Sequence, residues 1–177
     1  RVTLGFDQAI IACGSTPVRI PGLPYDDERL IDSTGALELR DVPPRLLVIG
    51  GGIIGMEMAT VYAALGSRVD VVELQDGLIP GCDRDLVKPL QKRMEKRLHR
   101  ILLGTRVKEI KPRQEGLEVH YDGKAAPAAE RYDRVLVAVG RTPNGNRINA
   151  AAAGVATDER GYIPVDQHMR TNVPHIF

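Results

Sequence analysis

The chain has 177 residues, of which 43% are hydrophobic and 27% charged, and its formal net charge is +1. This composition is typical of a globular protein with one sizeable core or two smaller ones. The balanced charge gives no strong field toward nucleic acid or an anionic membrane, no apolar run is long enough to span a bilayer, and no segment resembles a signal peptide.

The two cysteines and the two ends of the sequence bear on its context. Cys13 and Cys82 lie far apart and match neither CxxC nor a metal-ligand spacing. We therefore expect two reduced thiols in a cytoplasmic protein and predict no metal site. The sequence starts at Arg1 without methionine and stops at Phe177 within the apolar run "VPHIF", so we expect a piece of a longer protein.

The first strongly patterned segment predicts a strand, a helix and a second strand. The continuous apolar run at 45–49 is typical of a buried parallel strand. Residues 53–66 predict a helix that ends at Gly66, and residues 68–73 predict a second buried strand. A unit of this kind needs a tight turn between its first strand and its helix.

Glycines at 50, 52 and 55 give that turn the spacing G-x-G-x-x-G. Gly50 would allow the tight turn, Gly52 would let a pyrophosphate approach the backbone, and Gly55 would let the helix pack closely on the strand. The helix N-terminus would offer N–H groups and partial positive charge to the phosphates. A turn that only joins a strand to a helix is the alternative, but the flanking elements favour dinucleotide binding.

Glu73 ends the second predicted strand, about 20 residues after the turn. A carboxylate there can accept hydrogen bonds from the adenosine ribose hydroxyls and would repel a 2′-phosphate, which favours NAD over NADP. Residues 74–83 contain no Arg or Lys that could hold such a phosphate. For this residue alone, an ordinary charge at a strand end is the alternative.

The next segment, 83–100, predicts a helix. Four apolar residues recur in it at intervals of four, namely Leu86, Leu90, Met94 and Leu98. Pro89 is acceptable only if it falls in about the first turn of that helix. The basic residues between them are interpreted as a solvated face, and because no aromatics are interleaved we predict no nucleic-acid partner.

Three further segments, 106–114, 117–123 and 129–140, alternate between apolar and polar residues or run apolar. With turns between them, they predict a small antiparallel meander, over about 107–123, that leads back into a buried central strand. Residues 125–129 predict a loop. The fold class predicted is α/β, a Rossmann-like three-layer nucleotide-binding domain with a parallel sheet and an antiparallel β-meander.

Four segments together resemble a known family. They are "IIACGSTPVRIPGLP" (10–24), "LLVIGGGIIGMEMATVYAALGSRVDVVE" (46–73), "VLVAVGRTPN" (135–144) and "MRTNVPHIF" (169–177). Their order and approximate spacing resemble the flavin-dependent disulfide reductases, and most of all the dihydrolipoamide dehydrogenases, the flavoprotein components of 2-oxo acid dehydrogenase complexes. The resemblance covers essentially the whole chain.

The resemblance implies an organisation and a set of cofactors. Residues 1–40 would be the tail of an FAD-binding segment and a connector, 41–150 the NAD-binding domain, and 151–177 a connector back toward the FAD domain. The chain would bind NAD, while its longer parent would also bind FAD, form a homodimer and join a 2-oxo acid dehydrogenase complex. The parent would pass electrons from dihydrolipoamide through a disulfide and FAD to NAD, with this chain positioning the nicotinamide.

The family's Cys-x4-Cys pair and its His–Glu pair are absent from the sequence. We therefore predict no catalytic residue and expect the chain alone to be inactive. We also expect it to bind FAD weakly or not at all, because the resemblance places the main FAD-binding half-site before Arg1 and the family's flavin-binding aspartate after Phe177. The dinucleotide contacts that the resemblance implies are Gly50, Gly51, Gly52, Ile53, Ile54, Gly55, Met56, Glu57, Glu73, Val107, Gly140 and Arg141.

Some of these residues have particular implied roles and plain alternatives. Ile53 would cover the nicotinamide pocket and Glu57 would lie near the carboxamide, although Glu57 could be a simple helix-start charge. Val107 would pack on the adenine or belong to the core, and Arg141 could be structural.

Gly14 and Ser15 are implied to contact the flavin nucleotide, and a strand-ending turn explains them equally well. Cys13 departs from the threonine that is usual in the family.

Two other functions are open. Glutathione or mercuric reductases share this architecture but normally use NADP, which Glu73 disfavours. A stand-alone nucleotide-binding module without redox activity is the other alternative, and the sequence that flanks this chain would decide between them.

Overall fold

The structure is a computed structural model that describes residues 2–123 and 126–177. The predicted loop at 125–129 begins at Ala125, which lies outside the described residues, and residues 126–128 have no regular structure. The chain divides into two compact units, one of residues 17–140 and one of residues 1–16 with 141–177.

The described residues form ten strands, three α-helices and two 3₁₀ turns. The strands are β1 (Ser15–Pro17), β2 (Leu30–Asp32), β3 (Arg45–Ile49), β4 (Arg68–Val72), β5 (Arg100–Leu102), β6 (Arg106–Arg113), β7 (Gly116–Asp122), β8 (Ala129–Tyr132), β9 (Arg134–Val137) and β10 (Arg141–Pro143). The helices are α1 (Ser33–Leu37), α2 (Ile53–Ala64) and α3 (Arg84–Met94), with 3₁₀ turns at Gly145–Arg147 and Ala150–Ala153.

A five-stranded parallel sheet with the order β2-β9-β3-β4-β5 forms the centre of the larger unit. Along β3, Leu46 and Val48 pack in the cluster that contains helices α2 and α3. Leu47 and Ile49 pack in a second cluster on the opposite face. Because both faces are covered, a continuous apolar run is the stable sequence for such a strand, as the sequence predicted.

The second cluster is completed by an antiparallel sheet with the order β6-β7-β8, which carries the buried side chains Ile110, Leu117 and Val119. Helices, parallel sheet and antiparallel sheet therefore form three layers, and the predicted fold class is confirmed. β9 is the buried central strand that follows the meander. Helix α2 ends at Ala64, and Gly66 follows with a φ of 109°, as the glycine there predicted.

The helix predicted over 83–100 was too long, since α3 ends at Met94 and β5 begins at Arg100. The predicted apolar repeat was also wrong at Leu86, whose side chain is 69% exposed, while Val87 takes the place in the core. Pro89 is the sixth residue of α3, beyond the first turn, so one hydrogen bond of the helix is missing. None of the helices in the described residues is long and apolar enough to cross a membrane.

The smaller unit has its own sheet and core. β1 pairs with β10 in a two-stranded sheet. Its buried apolar side chains are Ala150, Val155 and Ile176, against which Ile11, Ile163 and Val173 pack.

A buried carboxylate joins the two sheets of the larger unit. The side chain of Asp70 on β4 is 2% exposed. Its Oδ2 accepts hydrogen bonds from the Arg100 guanidinium at 2.6 Å and the Tyr132 hydroxyl at 2.7 Å, and His99 Nδ1 lies 2.6 Å from Oδ1. Burial alone would raise the pKa of Asp70, but these hydrogen bonds outweigh it and hold the pKa below its ordinary value.

Replacing Asp70 by Asn should therefore lower the free energy of unfolding at neutral pH by about 2–3 kcal/mol, because the hydrogen bonds to its charged carboxylate are weakened and the partly buried Arg100 keeps only Glu130 as an ionic partner among the described residues. A carboxyl group with a lowered folded-state pKa stabilises the fold above its unfolded pKa of about 3.9 and loses that contribution as the pH falls through the folded pKa. The difference between the two proteins should shrink below about pH 4.

Urea unfolding of both proteins between neutral pH and pH 3 measures this difference. The exposed Asp122, at the end of β7, supplies the control substitution Asp122→Asn, which should leave stability unchanged. A gap between Asp70→Asn and the unsubstituted protein that stays constant with pH would contradict the role given to the carboxylate.

Candidate functional site

The carboxyl ends of the parallel strands form one edge of the larger unit. From β3 the chain passes through α2 to β4 on one side, while β9 lies on the other side of β3. In open α/β sheets, such a change of direction leaves a crevice at the carboxyl edge, where ligands bind. The glycine turn that follows β3 lies at this point.

Gly50 and Gly55 are required by the packing itself. A Cβ on Gly55 would lie 1.9 Å from the Gly50 carbonyl oxygen, and a Cβ on Gly50 would lie 2.3 Å from the Ala138 carbonyl oxygen. Gly50 also has a φ of 111°, in the left-handed region. The predicted roles of these two glycines, a tight turn and close helix packing, are confirmed.

Gly52 differs from both, since nothing lies within 4 Å of the position that its Cβ would take. It is the N-cap of α2, with ordinary φ and ψ of −74° and −174°, and no side chain caps the helix. The absence of a side chain at Gly52 therefore has no steric cause within the described part of the protein. An open space at an uncapped helix N-terminus is a suitable cradle for an anion.

The Glu73 carboxylate lies beside this turn and is 8% exposed. Its Oε2 accepts a hydrogen bond from the Gly51 N–H at 2.6 Å, and its Oε1 accepts one from the Gln75 N–H at 2.8 Å. Two backbone N–H groups thus fix the position of the carboxylate. A carboxylate has about four acceptor positions, so others stay available for a ligand hydroxyl.

The segment after Glu73, residues 74–83, packs against the turn from the other side. The Ile79 N–H donates to the Gly51 carbonyl at 2.8 Å. The buried Leu78 side chain would be 2.7 Å from a Cβ on Gly51. The sequence did not predict these contacts, because they join backbone groups and a single apolar side chain that no residue pattern distinguishes.

The first residues of α2 present different faces. Ile53 is 62% exposed and Glu57 is also exposed, whereas Ile54 is half-buried and Met56 is in the core. The predicted contacts Ile53 and Glu57 are thus accessible side chains, while Met56 could contribute only through its backbone.

Val107 and Gly140 approach the same edge from other elements. Val107 is half-buried on β6 and packs on the core, two residues after Thr105, whose N–H donates to the Glu73 carbonyl at 3.0 Å. Gly140 is exposed, has a φ of 123°, and follows β9. The turn, Glu73, Val107 and Gly140 therefore all belong to the larger unit.

The other three predicted residues belong to the smaller unit, where they contact one another or one neighbour. The Arg141 guanidinium donates to the Ser15 hydroxyl and carbonyl oxygens, both at 2.6 Å. Gly14 has a φ of 66° and its carbonyl accepts from the Asn144 N–H at 3.0 Å. These contacts hold β1 and β10 together.

Other features of the described residues offer no comparable site. A cavity of about 270 Å³ lies beside β2 and α1, but both of its arginines are paired, Arg134 with Asp41 at 2.8 Å and Arg40 with Glu38 at 2.7 Å. No group of three His, Cys, Asp or Glu side chains in the described ranges could hold a metal ion. Cys13 and Cys82 are free thiols.

Comparison with known proteins places this geometry in context. The family of pyridine nucleotide-disulphide oxidoreductases matches residues 1–177. A dihydrolipoyl dehydrogenase of Vibrio cholerae is 53% identical over 178 residues, which cover 100% of this chain and 37% of that protein. The chain therefore spans little more than a third of the length of such relatives.

Solved structures are similar in fold. An HOCl-induced flavoprotein disulfide reductase from Escherichia coli matches with a TM-score of 0.80 and 30% identity, over 96% of this chain and 38% of that chain. An NAD-dependent persulfide reductase from A. fulgidus matches with a TM-score of 0.78 and 27% identity, over 98% of this chain and 33% of that chain.

The glycine geometry predicts that one added methyl group destabilises the fold at Gly55 but not at Gly52. Gly55→Ala should lower the free energy of unfolding by about 2–3 kcal/mol, because the new Cβ meets a backbone oxygen that cannot move alone. Gly52→Ala should change it by less than about 0.5 kcal/mol, since the space is open and the lost N-cap preference is offset by reduced unfolded-state entropy.

Thermal and urea unfolding of the two variants beside the unsubstituted protein measure both effects. Equal stability of the two variants would mean that α2 does not pack on β3 as closely as the structure has it.

Proposed function

The chain belongs to the pyridine nucleotide-disulphide oxidoreductase family, and we propose that its larger unit binds NAD(H) in the crevice at the carboxyl edge of the parallel sheet. The observation that carries the proposal is the open space at Gly52, beside the buried carboxylate of Glu73. A phosphate fits the first feature and a ribose diol fits the second. Gly52 follows β3 and Glu73 follows the neighbouring strand β4, so the pyrophosphate and the ribose of one dinucleotide could reach both.

In this proposal each group at the edge has one task. The N-terminus of α2 binds the pyrophosphate over Gly52, and the free acceptor positions of Glu73 bind the adenosine ribose hydroxyls. Val107 packs on the adenine, while the exposed Ile53 and Glu57 face the nicotinamide. The remaining proposed contacts within the larger unit are Gly50, Gly51, Ile54, Gly55, Met56 and Gly140.

The residues present fit a dinucleotide, because the cradle is empty of side chains and the carboxylate is fixed before binding. Fixed groups lose little entropy when a ligand arrives, which favours affinity. The persulfide reductase from A. fulgidus, which is similar in fold, is NAD-dependent, and this supports the same choice of nucleotide. A buried anion at Glu73 also disfavours a 2′-phosphate, so NAD is proposed over NADP.

We further propose that the chain is the NAD-binding part of a dihydrolipoyl dehydrogenase, on the basis of its 53% identity to the Vibrio cholerae enzyme. When bound, the flavin of such an enzyme would supply the hydride that the nicotinamide accepts. Residues 41–150 would form the NAD-binding domain, which shares residues 41–140 with the larger unit, and 1–40 and 151–177 would lead to the FAD domain. The whole protein would be a homodimeric cytoplasmic flavoprotein that serves a 2-oxo acid dehydrogenase complex.

The same Gly52→Ala substitution tests the cradle. Its Cβ would occupy the space proposed for the pyrophosphate, so NADH affinity should fall at least about tenfold, the equivalent of about 1.4 kcal/mol. Fluorescence titration with NADH measures the dissociation constant, and the unfolding data serve as the control for stability. Unchanged NADH affinity in a stable Gly52→Ala protein would refute the proposed phosphate position.

Cofactor preference tests Glu73. NADH should bind more tightly than NADPH, and Glu73→Ala should weaken NADH binding and narrow the gap, because a hydrogen bond to a charged group contributes about 1.5–3 kcal/mol. Adding an arginine at the exposed Leu74 or Gln75 should strengthen NADPH binding further by pairing with its phosphate. All titrations are made at one salt concentration, since salt screens the phosphate interaction.

Loss of Glu73 also removes the acceptor of the Gly51 N–H, so the unfolding midpoint of each variant is measured beside its affinity. The exposed Glu159 in the smaller unit gives the control Glu159→Ala, which removes the same charge away from the turn. Equal affinities for NADH and NADPH in the unsubstituted protein would show that Glu73 does not select the cofactor.

A further inference from the structure

Arg84, the first residue of α3, is exposed, and its guanidinium binds carbonyl groups of the preceding segment. Nη1 donates to the Leu78 carbonyl at 2.9 Å, and Nη2 donates to the Ile79 carbonyl at 2.8 Å. The Cys82 carbonyl accepts from Nε at 3.1 Å and from Nη2 at 2.9 Å. One side chain thus binds three carbonyl groups of the segment 74–83.

This placement runs against the usual electrostatic preference of a helix. A cation in the first turn is disfavoured by the partial positive charge of the helix N-terminus. The carbonyl groups that surround the guanidinium offset that cost, since hydrogen bonds from a charged donor are stronger than neutral ones. The position of Arg84 is therefore explained by the segment that it binds, and not by the helix that it begins.

The bound segment is the one that presses on the glycine turn. Leu78 and Ile79 contact Gly51 through a buried side chain and a backbone hydrogen bond. Ile79 has a φ of 47°, a conformation that β-branched residues rarely adopt without outside support. Two of the three carbonyls that Arg84 binds belong to these residues, so its guanidinium supports the contact directly.

We propose that Arg84 is a positioning residue for dinucleotide binding, which acts by holding Leu78 and Ile79 against Gly51. The inference rests on the proposed function. Gly51 lies between the two glycines of the turn, so its displacement would move the backbone that meets the pyrophosphate. Because NADH and NADPH share that pyrophosphate, loss of Arg84 weakens both by the same factor.

A competing role for Arg84 gives a different result. As the first cation after Glu73 in the sequence, it could instead bind a 2′-phosphate. The structure favours positioning, because four of the five guanidinium N–H groups are already donated to carbonyls. If Arg84 did bind the 2′-phosphate, its substitution would weaken the binding of NADPH alone.

The experiment compares Arg84→Gln and Arg84→Lys with the control Arg93→Gln, which removes an exposed cation from the same helix. Titration with NADH and with NADPH gives the affinities, and hydrogen exchange of the Gly51 and Ile79 amides gives the state of the turn. Arg84→Gln should weaken both cofactors on the order of tenfold at an unchanged ratio, with faster exchange at both amides.

The affinities and exchange rates of Arg84→Lys should lie between those of Arg84→Gln and the unsubstituted protein. An ammonium keeps the charge but cannot reach three carbonyls in the fork geometry of a guanidinium. This variant also decides the matter if Arg84→Gln does not fold. Affinities and exchange rates that match those of Arg93→Gln would overturn the inference, and so would a loss confined to NADPH.

Failure of the proposed function looks different. If the unsubstituted protein binds neither NADH nor NADPH, the proposed function is wrong, and the exchange data alone then test the positioning of the turn by Arg84. Unchanged exchange at Gly51 in both Arg84 variants would overturn that positioning as well.

Discussion

The close approach of α2 to the end of β3 is the contact on which the proposed binding edge of the sheet depends. A side chain on Gly55 would meet the Gly50 carbonyl oxygen at 1.9 Å, and one on Gly50 would meet the Ala138 carbonyl oxygen at 2.3 Å. With both side chains absent, the helix N-terminus lies directly against the ends of β3 and β9. Larger residues at these positions would move the helix outward and separate its N–H groups from the Glu73 carboxylate. The same close packing therefore determines both the core and the geometry of the crevice.

The Glu73 carboxylate connects the turn to the strand that follows it. It accepts from the N–H groups of Gly51 and Gln75 and is largely buried. A buried charge needs such donors, because burial without them would be costly. The residue proposed to select the cofactor therefore also stabilises the turn that is proposed to bind it. Changing specificity at this position alone leaves the Gly51 N–H without its acceptor, so a change of cofactor requires a new partner for that group.

Local patterns were sufficient to predict the main elements but not the edges of the sheet. The apolar runs at 45–49 and 68–73, with a glycine motif between them, can be assigned as strands from a few neighbouring residues. β2 (Leu30–Asp32) and β5 (Arg100–Leu102) have only three residues each, and they become strands by pairing with β9 and β4. The same limit applied at the site: the glycines and Glu73 were predicted from spacing, whereas contacts between a side chain and backbone carbonyls leave no residue pattern to detect.

The crevice is shaped mainly by backbone groups that bind one another. The N–H of Gly50 donates to the Val72 carbonyl, the N–H of Ile79 to Gly51, and the N–H of Ala138 to Ile49, all at 2.8 Å. Three chain connections are thereby fixed together without filling the space over Gly52 with side chains. A site held in this way needs little rearrangement when a ligand binds, which lowers the entropic cost of binding. Substitutions on the exposed surface of the proposed site can then alter which nucleotide it accepts, while these backbone hydrogen bonds, together with the one from Gly51 to Glu73, keep the shape of the turn.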